Sequence, residues 1–226
     1  MPTESDLSYD VRKAVRHLRR VDPKMGRLIS RIGAFKMQLH GHKSPFESLL
    51  RAIFYQQLHG KAAATILGRF KERFGGGSLP FPEQILAADA RGLRSVGLSR
   101  QKVAAIRDLA AKTLDGTVPS LADVEKLPDD EIIKRLTTVR GIGVWSVEML
   151  LLSQLGRPDI LAISDFGLLK GFQIAYGKRR MPKPKELHAF GERWRPYRSV
   201  ASWYLWRAVD AARLAKSKKS KAAKAR

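Results

Sequence analysis

Apolar residues recur every three or four positions along most of the chain, which is the spacing of amphipathic helices. The first example covers 7–20, with apolar side chains at Leu7, Val11, Val15 and Leu18. No convincing alternation of apolar and polar residues, the pattern typical of strands, and no internal repeat appears. The pattern therefore predicts an all-α fold.

Capping residues define several of the predicted helix starts. Ser44, Pro45 and Glu47 form the pattern of an N-cap, a first-turn proline and a capping box. They predict a helix from Pro45 to about residue 58. Ser99 predicts the start of another helix, and later helices are predicted over 165–176 and 196–215.

A short segment at 136–148 has the pattern of a helix end, a tight turn and a second helix. Gly141 and Gly143 lack a Cβ, so the turn can be sharp and its backbone can approach another surface closely. The N–H groups at the start of the following helix favour an anion such as phosphate. The alternative is an ordinary helix-to-helix turn with a glycine C-cap.

Asp165 follows the apolar segment 160–163, at the end of a loop over 158–165. We expect this segment to bring the carboxylate back beside the turn, where it could take part in chemistry. An aspartate at a helix start is more often only an N-cap. The two interpretations are compatible.

Composition narrows the class of partner. The chain has 226 residues, a hydrophobic share of 44%, and neither a bilayer-length apolar run nor the pattern of a signal peptide. The absence of cysteine excludes disulfides, thiolate zinc sites and cysteine-held iron–sulfur clusters. The formal charge of +22 predicts a polyanionic partner, nucleic acid rather than membrane.

The C-terminal segment 215–226 is rich in lysine and alanine and contains no acidic residue. It is predicted to be a disordered basic tail that adds nonspecific DNA affinity or, alternatively, only solubility. Residues 1–214 are predicted to form one two-lobed helical domain.

Three segments in this order, 44–63, 136–148 with the aspartate of 163–167, and 194–207, resemble the helix-hairpin-helix DNA glycosylases with a Gly/Pro-rich loop and a catalytic aspartate. In pattern they are most similar to the 3-methyladenine DNA glycosylase II type, over about 45–213. The resemblance implies a two-lobed fold with a DNA cleft between the lobes. It also implies base flipping and hydrolysis of the N-glycosidic bond of alkylated purines, such as 3-methyladenine and 7-methylguanine, in duplex DNA, which initiates base excision repair.

By the same resemblance Asp165 is the catalytic carboxylate. Trp145 stands where lyase-competent members carry a lysine, so a monofunctional hydrolase without Schiff-base chemistry is expected. Electron-rich aromatic faces suit a cationic base. The expected pocket walls are Trp145, Trp206, Met149, Tyr55 and Trp203. The alternative for the aromatic residues is core packing, favoured for Trp203.

The resemblance also places DNA contacts. Gln57 is the wedge that fills the gap left by the flipped nucleotide, and His59 probes the minor groove; the alternatives are a polar helix end and a cap. The amides of Gly141 and Gly143 hold a phosphate. Additional phosphate contacts, or merely solvated cations, are Arg140, Lys61, Arg100 and Lys102. Backbone carbonyls of Thr137, Val139 and Ile142 can bind Na⁺ or K⁺, and no other cofactor is expected.

Two departures from the family pattern are evident. Ser164 stands where many relatives have a second acidic residue, and only 44 residues precede Pro45, so the N-terminal β-lobe of longer relatives is expected to be absent. The partner is expected to be duplex DNA bound by a monomer, in the bacterial cytoplasm or a nucleus. The competing functions are a non-catalytic helix-hairpin-helix DNA-binding protein and a glycosylase for deaminated, etheno or oxidised bases.

Overall fold

The computed structural model describes residues 7–39 and 44–224, and over these residues the chain contains helices and no strand. In chain order the helices are α1 (Val11–Val21), α2 (Pro23–Ile32), α3 (Pro45–Tyr55), α4 (Gly60–Gly75), α5 (Pro82–Ala87), α6 (Ala90–Ser95), α7 (Arg100–Leu114), α8 (Leu121–Val124), α9 (Asp129–Leu136), α10 (Val144–Ser153), α11 (Phe166–Tyr176), α12 (Pro184–Gly191) and α13 (Arg198–Lys224). A short 3₁₀ turn, Glu192–Trp194, follows α12. The all-α prediction is confirmed. None of the helices described is long and apolar enough to cross a membrane.

The chain divides into two compact units, one comprising 1–39 and 151–226 and the other 40–150. In the first unit, α13 packs against α1, α2 and α11. Gly171 allows the closest of these approaches, because a Cβ there would lie 2.1 Å from the carbonyl oxygen of Leu205. This close packing fixes the start of α11, where Asp165 lies.

Asp22 is a buried carboxylate that ties the first unit together. It ends α1 and begins α2, where its Oδ1 accepts from the N–H groups of Lys24 and Met25, each at 3.0 Å. Its Oδ2 accepts from the Tyr176 hydroxyl at 2.5 Å and from Trp194 Nε1 at 2.9 Å. Burial and this contact with Asp22 raise the pKa of the Tyr176 phenol. Removing one of these donors would leave a buried polar group without its partner, which is strongly destabilising.

The second unit is built around α7, which packs against α3, α5 and α6. Its fully buried side chains include Leu50, Phe54, Phe70, Ile106 and Leu109. As predicted, Ser44 caps α3 and Ser99 caps α7, with Oγ accepting from the N–H groups of Glu47 and Lys102 at 3.2 Å each. α7 thereby forms a rigid base for the turn that follows α9.

Three predicted boundaries differ from the structure. The first helix begins at Val11 because Asp10 caps it, accepting from the N–H of Lys13 at 3.0 Å. Helix α3 ends at Tyr55 rather than near residue 58, because Gln57 has a φ of +56°. Helix α13 includes 215–224, which belong to the segment predicted to be a disordered tail; lysine and alanine both favour helix. The last two residues lie outside the described part.

Candidate functional site

The predicted hairpin is present between α9 and α10. The N–H of Ile142 donates to the carbonyl of Val139 at 3.0 Å, which closes the turn, and Gly141 has a φ of +78°. A side chain at Gly141 would be strained by that backbone conformation. At Gly143, in contrast, an added Cβ would meet nothing within 4 Å. Gly143 is therefore not required by packing within this unit, and its lack of a side chain leaves the turn open to a partner.

The amides of this turn point to an anion site. Ser146 and Val147 donate their N–H groups to the carbonyl of Gly143, at 3.0 and 3.3 Å. Within residues 7–39 and 44–224, the N–H groups of Gly141, Gly143 and Val144 donate to no other protein group. Unpaired amides at the N-terminus of a helix, with its positive dipole end, favour a phosphate.

Side chains from α7 hold the turn in place. Asp108 Oδ2 accepts from the N–H of Arg140 at 2.7 Å and from Lys112 Nζ at 2.9 Å. Lys112 Nζ also donates to the carbonyl of Thr138. Burial alone would raise the pKa of Asp108, but the hydrogen bonds from Arg140 and Lys112 outweigh it and leave that pKa below its ordinary value.

Gln56, at the end of α3, supports the same turn. Its Nε2 donates to the carbonyl of Gly141 at 2.9 Å. None of these supporting side chains was identified from the sequence. Asp108 and Lys112 are visible there only as an ordinary helical i, i+4 pair, and Gln56 only as the neighbour of Gln57.

A cavity of 870 Å³ lies in the same unit and collects most of the predicted binding residues. Those of the predicted residues that line it are Tyr55, Gln57, Lys102, Arg140, Gly141, Trp145 and Met149. Tyr55 and Trp145 are 39% and 46% exposed at this cavity. Two exposed aromatic residues at one cavity can stack on a flat, cationic ligand.

Gln57 has an exposed side chain on a strained backbone. It is a non-glycine residue in the left-handed region, with a φ of +56°. Such conformations cost about 1–3 kcal/mol and cluster at functional sites. Gln57 lines the cavity two residues after the end of α3, and its role as the wedge stays a prediction.

The other predicted DNA contacts of this unit differ in their surroundings. His59 is the N-cap of α4, with Nδ1 accepting from the N–H of Lys61 at 3.4 Å, as the alternative interpretation held. Lys61 and Arg100 are exposed at the first residues of helices. The Nζ of Lys102 donates to the carbonyl of Phe54 at 2.6 Å, and burial lowers the pKa of this lysine; its phosphate contact stays a prediction.

Asp165 belongs to the other unit, where it caps α11 as predicted. Its Oδ1 accepts from the N–H of Leu168 at 2.6 Å and from Trp206 Nε1 at 2.8 Å. Gly167 makes room for this pair, because a Cβ there would lie 3.1 Å from Oδ1 of Asp165 and 3.2 Å from Cδ1 of Trp206. Trp206 therefore positions the carboxylate, a contact that the sequence did not indicate, and Gly167 is a functional candidate that the sequence analysis missed.

Trp203 is only 7% exposed and lies in the core of this unit. Its ring centroid is 4.9 Å from those of Phe35 and Tyr204. The core-packing interpretation applies to this tryptophan, in place of the expected pocket wall. Ser164, beside Asp165, is exposed.

Comparison with known proteins agrees with this arrangement. Residues 50–196 match the HhH-GPD superfamily of base excision DNA repair proteins. DNA-3-methyladenine glycosylase 1 of Schizosaccharomyces pombe is 34% identical over 205 residues, which cover 90% of each chain.

Two solved structures share the fold. One is the 3-methyladenine DNA glycosylase Mag1 of the same yeast in complex with abasic DNA, with a TM-score of 0.73, 35% identity and coverage of 86% of this chain and 95% of that chain. The other is a DNA-3-methyladenine glycosidase from Bacillus halodurans, with a TM-score of 0.79, 33% identity and coverage of 86% and 88%. With the hairpin and the capping aspartate both present, the chain belongs to the HhH-GPD superfamily of base excision DNA repair proteins.

Proposed function

We propose that this protein is a monofunctional DNA glycosylase that removes alkylated purines, of the 3-methyladenine and 7-methylguanine type, from duplex DNA. The observation that carries the proposal is the carboxylate of Asp165, held by Trp206 Nε1 and the N–H of Leu168. The activities named for the relative from Schizosaccharomyces pombe, at 34% identity, and for the one from Bacillus halodurans, at 33% identity, support the same substrate class.

Asp165 supplies the chemistry in this proposal. As the bond between C1′ and the base nitrogen breaks, the electron pair leaves with the base and positive charge develops on the sugar. A carboxylate stabilises that charge and accepts a proton from the water that adds to C1′. A base methylated at N3 or N7 is cationic before cleavage and leaves as a neutral molecule, so it needs no strong general acid.

The unit 40–150 supplies the binding groups. Tyr55 and Trp145 offer aromatic faces to the flipped base, and Gln57 fills the gap that it leaves in the duplex. The amides of Gly141 and Gly143 bind a phosphate, with Arg140 and Lys61 as further backbone contacts. Trp145 has no amine, so the enzyme forms no Schiff base and does not cleave the strand.

The same turn is suited to an alkali cation. The side chains of Lys112 and Gln56 bind the carbonyls of Thr138 and Gly141. These two side chains do not bind the carbonyls of Thr137, Val139 and Ile142. Those three carbonyls would hold Na⁺ or K⁺ next to the bound phosphate. The cation would add positive charge where the DNA backbone lies.

The proposal includes one copy of the chain on each damaged site, acting in the bacterial cytoplasm or, in a eukaryote, the nucleus.

The proposed function is tested by release of free base from duplexes that carry 3-methyladenine, 7-methylguanine, ethenoadenine or hypoxanthine. We expect release of the two methylated bases, no strand cleavage, and a loss of about 10²–10⁴-fold in Asp165→Asn with DNA binding retained. Preferred release of ethenoadenine or hypoxanthine would change the substrate class. If the wild type binds DNA but releases no base, the protein is a non-catalytic DNA-binding protein.

A further inference from the structure

Helix α1 carries a row of exposed cations. Lys13, Arg16 and Arg20 are three and four residues apart, so they share one face of the helix. Arg12 and Arg19 flank that face. Within the described residues none of these five forms an ion pair, and Arg19 only donates a hydrogen bond to Ser30 Oγ at 2.9 Å.

Other arginines of the same unit are neutralised. The pairs are Arg180–Glu186, Arg195–Asp159, Arg198–Asp159 and Arg207–Asp210, at 2.6–2.9 Å. Two acids lie at the ends of α1. Asp10 accepts from the N–H of Lys13, and Asp22 is 3% exposed and buried among four donors. The charge of Asp10 attracts Arg12 and Arg16, and the hydrogen bond from Lys13 together with the charges of these two arginines lowers the pKa of Asp10. One exposed carboxylate does not balance five cations, so α1 keeps a net positive charge.

These cations line depressions rather than a convex surface. Lys13, Arg16, His17 and Arg20 line a depression of 430 Å³ with Pro196 and Tyr197. Arg16 also borders a second depression, of 500 Å³, together with Arg12 and Arg19.

His17 adds a polar group to the first depression. Its ring makes an edge contact with Tyr197, at 5.5 Å between centroids. Its Nε2 is buried and has no hydrogen-bond partner in the part of the chain that is described. Buried polar atoms are usually satisfied by protein, water or a bound ligand.

We propose that the depression at Lys13, Arg16 and Arg20 binds phosphodiester groups of duplex DNA, as a second backbone contact separate from the hairpin and Asp165. The proposal rests on the proposed function, which brings DNA to this protein. Guanidinium groups bind phosphate with paired hydrogen bonds. The row spans about 10 Å of helix, from seven residues at 1.5 Å each, so it can contact more than one phosphate.

The test compares two variants that lose the same charge. One is Lys13→Gln/Arg16→Gln/Arg20→Gln, and the control is Lys126→Gln/Lys178→Gln/Lys185→Gln, whose exposed cations lie outside α1 in the chain. Each phosphate contact contributes about 0.9 to the slope of log affinity against log salt concentration. With undamaged duplex we expect that slope to become shallower by about 2–3 in the α1 variant and to keep its wild-type value in the control. Equal changes in the two variants would overturn the proposal, because net charge alone would then explain both.

A second measurement identifies the source of the phosphate. The imidazole NMR signals of His17 are followed during titration with a short duplex and, separately, with inorganic phosphate. We expect the duplex to shift them at concentrations at which inorganic phosphate does not. A response to inorganic phosphate alone, with the salt slope unchanged, would make this a free-anion site and contradict the proposal.

Base release separates this proposal from the proposed function. If the wild type releases no base, the proposed function fails, while the difference in salt slope still decides the DNA contact at α1.

Discussion

The indole Nε1–H of Trp206 donates a hydrogen bond of 2.8 Å to Oδ1 of Asp165, 41 residues earlier in the chain. The N–H of Leu168 reaches the same oxygen from the first turn of α11. The N–H of Leu168 is fixed by α11 and the indole of Trp206 by α13, so two helices hold the carboxylate. This arrangement makes Trp206 a positioning residue for the proposed chemistry.

Replacing Trp206 with Phe keeps an aromatic ring and removes the N–H. A hydrogen bond to a charged group contributes about 1.5–3 kcal/mol, so we expect single-turnover release of 3-methyladenine to slow by about 10–100-fold. Trp203→Phe is the matched control on the same helix. It should lower the free energy of unfolding by about 1–3 kcal/mol and leave the release rate near that of the wild type. An unchanged rate in Trp206→Phe would remove the indole from the mechanism.

Gly167→Ala tests the same contact from the opposite side. The added methyl would lie 3.1 Å from Oδ1 of Asp165 and 3.2 Å from the indole of Trp206, so one of the two must move. We expect slower base release without loss of DNA binding. Trp206→Phe and Gly167→Ala both disturb the hydrogen bond between Trp206 and Asp165. In the double variant, the fold-loss in release rate should therefore be smaller than the product of the two single fold-losses. A fully multiplicative double variant would show that Gly167 acts elsewhere.

The sequence predicted the local features well because they depend on neighbouring residues. The caps at Ser44, Ser99 and Asp165 and the hairpin around Gly141 are all decided within a few positions. The contacts that hold these features were not predictable in this way. Asp108 lies 32 residues before Arg140, and their hydrogen bond depends on how α7 packs beneath the turn.

Trp203 and Trp206 show the same limit on one helix. They are three residues apart on one helix face; the family resemblance made both pocket candidates, with core packing favoured for Trp203. The structure buries Trp203 against Phe35 and gives Trp206 the contact with Asp165. The two side chains are less than one helical turn apart. The packing of the unit alone determines which of them is buried and which contacts Asp165.

Asp108 makes the stability of the hairpin depend on pH. Its pKa is lowered in the folded protein from an ordinary value of 3.8. The carboxylate therefore stabilises the fold above that value, and the contribution is lost as the pH falls through the lower folded pKa. We expect the difference in unfolding free energy between wild type and Asp108→Asn to be constant at neutral pH and to shrink below about pH 4.

Asp108 should also affect DNA binding, because it holds the hairpin turn. Asp108→Asn keeps an oxygen for the N–H of Arg140, whereas Asp108→Ala leaves that N–H and Lys112 without their acceptor. We expect DNA affinity to fall more in Asp108→Ala than in Asp108→Asn, as measured by fluorescence anisotropy. Equal affinities in both variants would show that the turn holds its shape without α7.

The exposed aromatic faces of Trp145 and Tyr55 should determine the preference for charged bases. Trp145→Leu removes one face, and a cation–π contact is worth about 0.5–2 kcal/mol. We expect release of cationic 7-methylguanine to fall by about 2–30-fold more than release of neutral hypoxanthine, measured on matched duplexes. Tyr55→Phe keeps its aromatic face and should leave the ratio of the two rates unchanged. If Trp145→Leu slows both bases equally, Trp145 shapes the cavity without distinguishing the charge of its occupant.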